Sequence, residues 1–126
     1  MKTWIAIALF TNSIVAYAYE PERAISNLAS ELAECSAYYA SLQYALERSQ
    51  VDGAPAERNA LYAFALAAEI SSAEVTAARV ELRTTAMGEE IGGDLSNFAI
   101  LINKYGQRCK EILEDPEGRL TYWVDQ

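Results

Sequence analysis

Apolar residues in the first half of the chain recur at alternating intervals of three and four, a pattern that predicts a long amphipathic helix over about residues 21–49. The apolar stripe consists of Ile25, Leu28, Leu32, Cys35, Tyr39, Leu42 and Leu46. Pro21 suits the first helical position, and the stretch 51–55 (VDGAP) predicts the turn that ends the helix. A continuous stripe of this kind indicates a helix packed against other helices.

A second, alanine-rich helix is predicted from about Ala56 to Met87. Its apolar side chains fall on two lines, which are Leu61, Phe64, Val75 and Leu82 on one and Leu66, Ile70 and Val80 on the other. Two apolar lines indicate a helix with neighbours on two sides. Ser71 and Ser72 can mark a break, and a break there would turn three helices into four.

A third helix is predicted to begin at Asp94, a good N-cap residue, and to end before Pro116. Its stripe consists of Leu95, Phe98, Ile102, Tyr105, Cys109 and Ile112. The tail after Pro116 carries further apolar residues, Trp123 among them, and we expect it to fold back over one end of the helices. The predicted fold is therefore an all-α up-down bundle of three helices, or of four if the second helix breaks.

Both cysteines of the chain, Cys35 and Cys109, lie on the predicted stripes. At 1.5 Å per residue they stand about 20 Å and about 22 Å along the first and third helices, which run parallel in an up-down-up bundle. An even cysteine count in an exported chain favours a disulfide between them. Two free buried thiols and an intermolecular bridge are the alternatives.

Residues 1–18 have the three parts of a signal peptide. Lys2 supplies the positive charge, Trp4 to Phe10 form an apolar core, and Ala16-Tyr17-Ala18 provides small residues for cleavage. We expect cleavage after Ala18, which leaves residues 19–126 as one domain in the periplasm or secreted. The alternative is an uncleaved membrane anchor, which the short, interrupted apolar run disfavours. After cleavage we expect no stable membrane insertion.

The net charge of −8 changes the range of expected partners. Such a surface repels a phosphate backbone, so nucleic-acid binding is not expected. The chain has no histidine, which removes the commonest general base and metal ligand. Glu89, Glu90 and Asp94 cluster before the third helix, but without the loop that calcium needs or the pocket that a glycosidase needs. We expect no metal, no cofactor and no catalytic residue.

Aromatic side chains provide the remaining candidate site. Tyr38 and Tyr44 lie beside the stripe of the first helix, and with Tyr62 and Trp123 they are a possible interaction surface, because protein interfaces favour exposed aromatic residues. Ordinary packing beneath the second helix is the alternative. The charged residues of the second helix, Arg83 among them, are expected to form a solvated face.

Two short segments, 32–39 (LAECSAYY) and 105–109 (YGQRC), together with the signal peptide resemble a type of small exported all-helical protein of proteobacteria and their phages that has one cysteine pair. The resemblance implies no activity. The layout is also similar to that of periplasmic acid-stress chaperones, which are small, helical and held by a single disulfide. Fold alone does not imply function.

The sequence therefore predicts a non-enzymatic exported protein that acts by binding another envelope protein, as a monomer or homodimer. A periplasmic stress chaperone is the alternative within binding, since acid would protonate the many carboxylates and expose apolar surface. An enzyme that uses carboxylates is the second class of function, and a purely structural component is the third.

The exported protein is expected to have the mass of residues 19–126 less two hydrogens, because the signal is removed and one disulfide forms. Intact mass spectrometry of the protein exported by its own host, without and then with reductant, measures both changes. A mass that retains residues 1–18 contradicts cleavage. A doubled mass that reductant halves contradicts the intramolecular bond.

Overall fold

Helices form all of the regular structure in the computed structural model, which describes the backbone of residues 5–126 and the side chains of residues 21–126. The four regular helices are α1 (Ile5–Arg48), α2 (Ala54–Ile70), α3 (Ala73–Glu90) and α5 (Pro116–Val124). Between α3 and α5 lie a 3₁₀ turn (Leu95–Asn97) and α4 (99–114), which contains a π-helical turn (Ile102–Gly106). The all-helical class is confirmed.

The first helix begins earlier than predicted, at Ile5, so Pro21 lies inside α1 and the prediction that it starts the helix is wrong. An internal proline removes one backbone hydrogen bond. Cleavage after Ala18 would leave Pro21 in the first turn, where its missing N–H needs no partner. The predicted signal peptide, residues 1–18, lies outside the residues whose side chains are described. In the described part of the chain, no helix has the length and apolarity needed to span a membrane.

The central element is α1, against which α2, α3 and α5 all pack. From α2 the contact face is a row of small side chains at helical spacing, namely Ala56, Ala60, Ala63 and Ala67. Small side chains allow two helix axes to approach closely. One buried polar contact lies between them, where Ser36 Oγ donates to the carbonyl oxygen of Ala60 at 2.9 Å.

The second predicted helix breaks at Ser71–Ser72, so α2 and α3 are separate helices. Ser71 Oγ donates to the carbonyl oxygen of Ala67 at 2.7 Å and thereby closes α2. Ser72 is the N-cap of α3, because its Oγ accepts a hydrogen bond from the backbone N–H of Val75 at 3.0 Å. Ser72 therefore satisfies a backbone N–H that the start of a helix leaves unpaired, whereas Ser71 adds a second hydrogen bond to a carbonyl that already accepts one from the Ser71 backbone N–H.

One of the two apolar lines predicted for the second helix is largely exposed. Leu61, Val75 and Leu82 expose 64%, 43% and 70% of their surfaces, so the prediction that they pack against a neighbour is wrong. The reason is that α2 packs through its alanines, while α3 packs through Thr76 and Met87, which are fully buried.

The third predicted stripe holds except at one position, where Leu101 is buried and Ile102 is exposed. Asp94 caps the 3₁₀ turn rather than an α-helix, and the backbone N–H groups of Phe98 and Leu101 bond to carbonyls three residues earlier. Residues three apart eclipse one another in 3₁₀ geometry, so Leu101 follows Phe98 into the core. The wider π-helical turn then restores the phase, and Tyr105 and Cys109 are buried as predicted.

The predicted disulfide joins Cys35 of α1 to Cys109 of α4, with the two Cα atoms 5.4 Å apart. Both cysteines are fully buried. The surrounding core includes Leu32, Met87 and Tyr105. The bond therefore crosses the centre of the core and ties the long first helix to the irregular last third of the chain.

The tail folds back onto the core as predicted, in the form of helix α5. Asp115 caps this helix by accepting a hydrogen bond from the backbone N–H of Gly118 at 3.0 Å. Leu120 and Trp123 are half-buried against the core, whereas no residue of α5 is fully buried. Its attachment therefore depends on few apolar contacts, and polar contacts carry more of it.

Replacing both cysteines with alanine is expected to lower the free energy of unfolding by roughly 4 kcal/mol, because the bond closes a loop of 74 residues in the unfolded chain. Urea denaturation with and without reductant measures the change. Reductant should destabilise the wild-type protein and leave the variant unaffected. Equal stability of the wild-type protein and the variant without reductant would contradict a structural role for the bond.

Candidate functional site

A groove of about 650 Å³ opens between the C-terminal part of α1, the end of α3 and the 3₁₀ turn; we call it the α1–α3 groove. Its floor is formed by apolar side chains of the core, namely Met87, Ile91, Phe98 and Leu101. Its volume lies in the range of pockets that hold small ligands or protein side chains.

Two glycines shape the wall of this groove. After α3 ends at Glu90, Gly92 and Gly93 take positive φ angles of 66° and 72°. The backbone N–H of Gly93 bonds to the carbonyl oxygen of Gly88 at 2.9 Å, which closes the end of α3. Residues with side chains rarely adopt these φ angles. The glycine pair therefore turns the chain sharply enough for Leu95 and Phe98 to line the groove.

The rim of the groove is polar. Tyr44 and Arg48 stand one helical turn apart near the end of α1, and the Arg48 guanidinium donates a hydrogen bond to the Tyr44 hydroxyl at 2.9 Å. The guanidinium carbon also lies 5.7 Å from the centre of the Tyr44 ring, within cation–π distance. Thr84 and Asp94 line the groove from α3 and from the turn after it.

The predicted aromatic surface is not one surface. Tyr44 and Tyr62 are exposed, at 53% and 47%, and Trp123 is half-buried, but each lines a different depression. The expected exposure of Tyr38 is wrong, because only 3% of its surface is accessible and its ring packs beside Tyr39, Phe98 and Tyr105. Burial raises the pKa of Tyr38, and neighbouring Tyr39 adds to the increase. Of the four side chains, Tyr44 alone borders the α1–α3 groove.

Close packing explains why Tyr38 turns inward. A methyl group placed on Gly106 would lie 3.1 Å from the Tyr38 hydroxyl oxygen, so the glycine leaves the space that the phenol uses. Stripe position alone does not reveal this, since Tyr38 lies one residue before the predicted stripe residue Tyr39. The buried face of α1 is wide because several helices contact it, and it includes the rings of both Tyr38 and Tyr39.

A charged network lies beside the disulfide and was missed by sequence analysis. Glu34, which precedes Cys35, pairs with Arg108, which precedes Cys109. The other carboxylate oxygen of Glu34 lies 2.7 Å from Nη2 of Arg83 on α3. The expectation that Arg83 belongs to a solvated face is therefore wrong, and Glu34 connects α1, α3 and α4.

The acidic cluster predicted before the third helix is divided among separate structural roles. Glu90 accepts hydrogen bonds from the Tyr105 hydroxyl at 2.8 Å and from Lys104 at 3.0 Å. Burial would raise the pKa of Glu90, but these hydrogen bonds and the Lys104 charge hold it below its usual range. Asp94 accepts from both the backbone and the hydroxyl of Ser96, and these bonds lower its pKa. Glu89 is exposed.

No group of three potential metal-ligating residues occurs in the part of the chain that the structure describes. The α1–α3 groove contains one carboxylate, Asp94, and one cation, Arg48, among its lining side chains. The lining therefore combines an apolar floor with a polar rim that carries one charge of each sign.

One carboxylate, Glu31 of α1, holds the C-terminal helix. It accepts hydrogen bonds from Nε and Nη2 of Arg119 at 2.8 and 2.6 Å, and from Nε1 of Trp123 at 2.7 Å. Burial alone would raise the pKa of Glu31, but these hydrogen bonds, with the charges of Arg119 and Arg108, hold it below its usual range. Bidentate pairing of this kind gives both energy and a defined orientation.

Comparison with known proteins gives no relative: no protein-family model, no curated protein and no solved structure matches this chain. The function is therefore inferred from the residues of the site itself.

Replacing Glu31 with glutamine is expected to lower the free energy of unfolding by about 2 kcal/mol at neutral pH, because the Arg119 guanidinium loses its charged partner. Since the folded-state pKa of Glu31 is lowered, its stabilisation is complete above the usual glutamate range and is lost as the pH falls through the lowered value. The difference between wild type and variant should therefore shrink in acid.

Urea denaturation across a pH series, followed by Trp123 fluorescence, measures this difference. Glu22→Gln is the matched control, because Glu22 is an exposed glutamate of the same helix. A stability difference that stays constant down to strong acid would contradict the assigned role of Glu31.

Proposed function

We propose that this protein is a non-enzymatic, exported, periplasmic binding protein whose α1–α3 groove receives an apolar segment of another envelope protein. The observation that carries the proposal is the combination of an apolar floor with a Tyr44–Arg48 rim. Interfaces place apolar residues at the centre and polar residues around them, and tyrosine and arginine are enriched among the residues that contribute most binding energy.

The charges of the molecule favour binding over catalysis. Glu31, Glu34 and Glu90 are each committed to an ion pair that joins two helices. Moving a proton on any of them would disturb the fold, whereas a general acid or base must change its protonation state in every cycle. The proposal therefore assigns these carboxylates to structure and the groove to recognition.

Two features support the proposed periplasmic location. A buried disulfide is typical of proteins in an oxidising compartment, and residues 1–18 have the pattern of an export signal. The proposal includes an up-down helical bundle as the scaffold, with the disulfide holding α4 against α1 and so holding the groove open. Alone in solution the protein would be a monomer or a homodimer.

A periplasmic stress chaperone is a second candidate, favoured by the attachment of α5 through the single carboxylate of Glu31. Protonation of that carboxylate would loosen α5 and uncover the surface beneath Leu120 and Trp123. Protection of an aggregating client protein by the isolated protein in acid, and not at neutral pH, would favour this candidate over a dedicated partner.

The groove can be filled without disturbing the fold at Gly88, a lining residue inside α3. A Cβ atom built there meets nothing within 4 Å, and replacing a helical glycine removes a conformational cost of about 0.5–1 kcal/mol. Gly88→Leu is therefore expected to keep the unfolding temperature at or above the wild-type value while occupying the space that the partner needs. Ala77→Leu, at an exposed position of the same helix, is the matched control.

A photo-crosslinking residue at Thr84, on the groove, is expected to yield one discrete adduct with an envelope protein in the native host, and Gly88→Leu should reduce that adduct at least about tenfold. The same probe at Thr85, an exposed neighbour outside the groove, should yield none. The measurement is the adduct on a denaturing gel, with its identity from mass spectrometry. Equal adducts from both positions, or an adduct insensitive to Gly88→Leu, would contradict the proposal.

A further inference from the structure

Arg48 differs from the basic residues that hold the fold together. Arg83, Arg108 and Arg119 each pair with a carboxylate of α1, and each pair joins α1 to another helix. Among the side chains that the structure describes, no carboxylate forms an ion pair with Arg48, which instead donates a hydrogen bond to the neutral Tyr44 hydroxyl. The protein has a net charge of −8, and yet Arg48, at the rim of the groove, forms no ion pair with a described carboxylate.

The Arg48 guanidinium contacts the Tyr44 side chain, one helical turn earlier, in two ways. Its hydrogen bond to Tyr44 and its place over the Tyr44 ring hold one side of the group, while the remaining N–H donors stay available. A guanidinium has a planar set of donors that matches a carboxylate in two parallel hydrogen bonds. Preorganisation of this kind reduces the entropic cost of binding.

We propose, building on the function proposed above, that the partner segment carries a carboxylate next to a short run of aliphatic or aromatic residues. The carboxylate pairs with Arg48, and the apolar side chains lie on the floor formed by Met87, Ile91, Phe98 and Leu101. Asp94 lines the same groove and repels a second carboxylate near the 3₁₀ turn. The two charges therefore set the direction in which the segment lies.

The overall acidity of the protein would by itself favour a basic partner. Charges separated by more than about 8 Å are largely screened at physiological ionic strength, whereas a pair in direct contact is not. The nearest charge therefore decides the preference inside the groove, and overall acidity affects mainly the rate of encounter. An acidic preference would thus be a property of the groove and not of the surface as a whole.

Selection from a phage-displayed library of random peptides tests this preference on the full exported protein. The wild-type protein is expected to enrich peptides that place Asp, Glu or the terminal carboxylate beside aliphatic or aromatic residues. Arg48→Gln should remove the preference for acidic peptides while keeping the preference for apolar residues. Arg48→Glu should replace the acidic preference with a preference for peptides that contain Lys or Arg. Arg58→Glu is the matched control, because Arg58 is an exposed arginine of α2 outside the groove.

A synthetic peptide of the enriched sequence is expected to bind Arg48→Gln about tenfold more weakly than wild type, a difference of about 1.4 kcal/mol. Enrichment of apolar peptides without an acidic preference, or an acidic preference unchanged in Arg48→Glu, would overturn this inference and leave the groove as the binding site. Enrichment unaffected by Gly88→Leu would overturn the proposed function itself. Unfolding temperatures of all variants show whether each has folded.

Discussion

The covalent bond between Cys35 and Cys109 is the constraint on which the rest of the molecule depends. It fixes α4 against α1 at the centre of the core, and the residues just before the two cysteines, Glu34 and Arg108, then meet as an ion pair. Arg83 brings α3 to the same carboxylate. The disulfide and the two ion pairs thus join α1, α3 and α4 at one level of the core. The end of α1, the end of α3 and the start of α4 form the α1–α3 groove beside these links. A charged pair that is already held in place loses less entropy on forming.

Departures from regular helix geometry create that groove. The left-handed glycines at 92 and 93, the 3₁₀ turn and the π-helical turn lie within fifteen residues of one another in the last third of the chain. A straight α-helix from Asp94 would have buried Ile102; the 3₁₀ start buries Leu101 instead, and the π-helical turn returns Tyr105 and Cys109 to the core. π-helical turns inside α-helices are frequent at functional sites. The irregular segment and the proposed binding face belong to the same part of the molecule.

Most of the helical fold could be predicted from the sequence, because the three-and-four spacing of apolar residues is a direct consequence of helix geometry. The cysteine pairing followed from the same stripes. Side-chain partners could not be predicted in this way. Leu61 and Leu82 look like core residues in the sequence, but α2 packs through alanines, so the larger side chains lie outside. Arg83 looks like a solvated residue because its partner, Glu34, is distant in the sequence. The candidate groove depends on backbone angles at two glycines, which no periodic pattern encodes.

We propose that recognition occurs in the α1–α3 groove. Backbone amide hydrogen exchange tests it most directly, measured on the exported protein alone and in complex with the envelope segment identified by crosslinking. We expect slower exchange in the complex at the C-terminal turns of α1 and α3 and through residues 91–101, with no change along the exposed side of α2. Slower exchange on α2 around Leu61, with the groove unaffected, would contradict it.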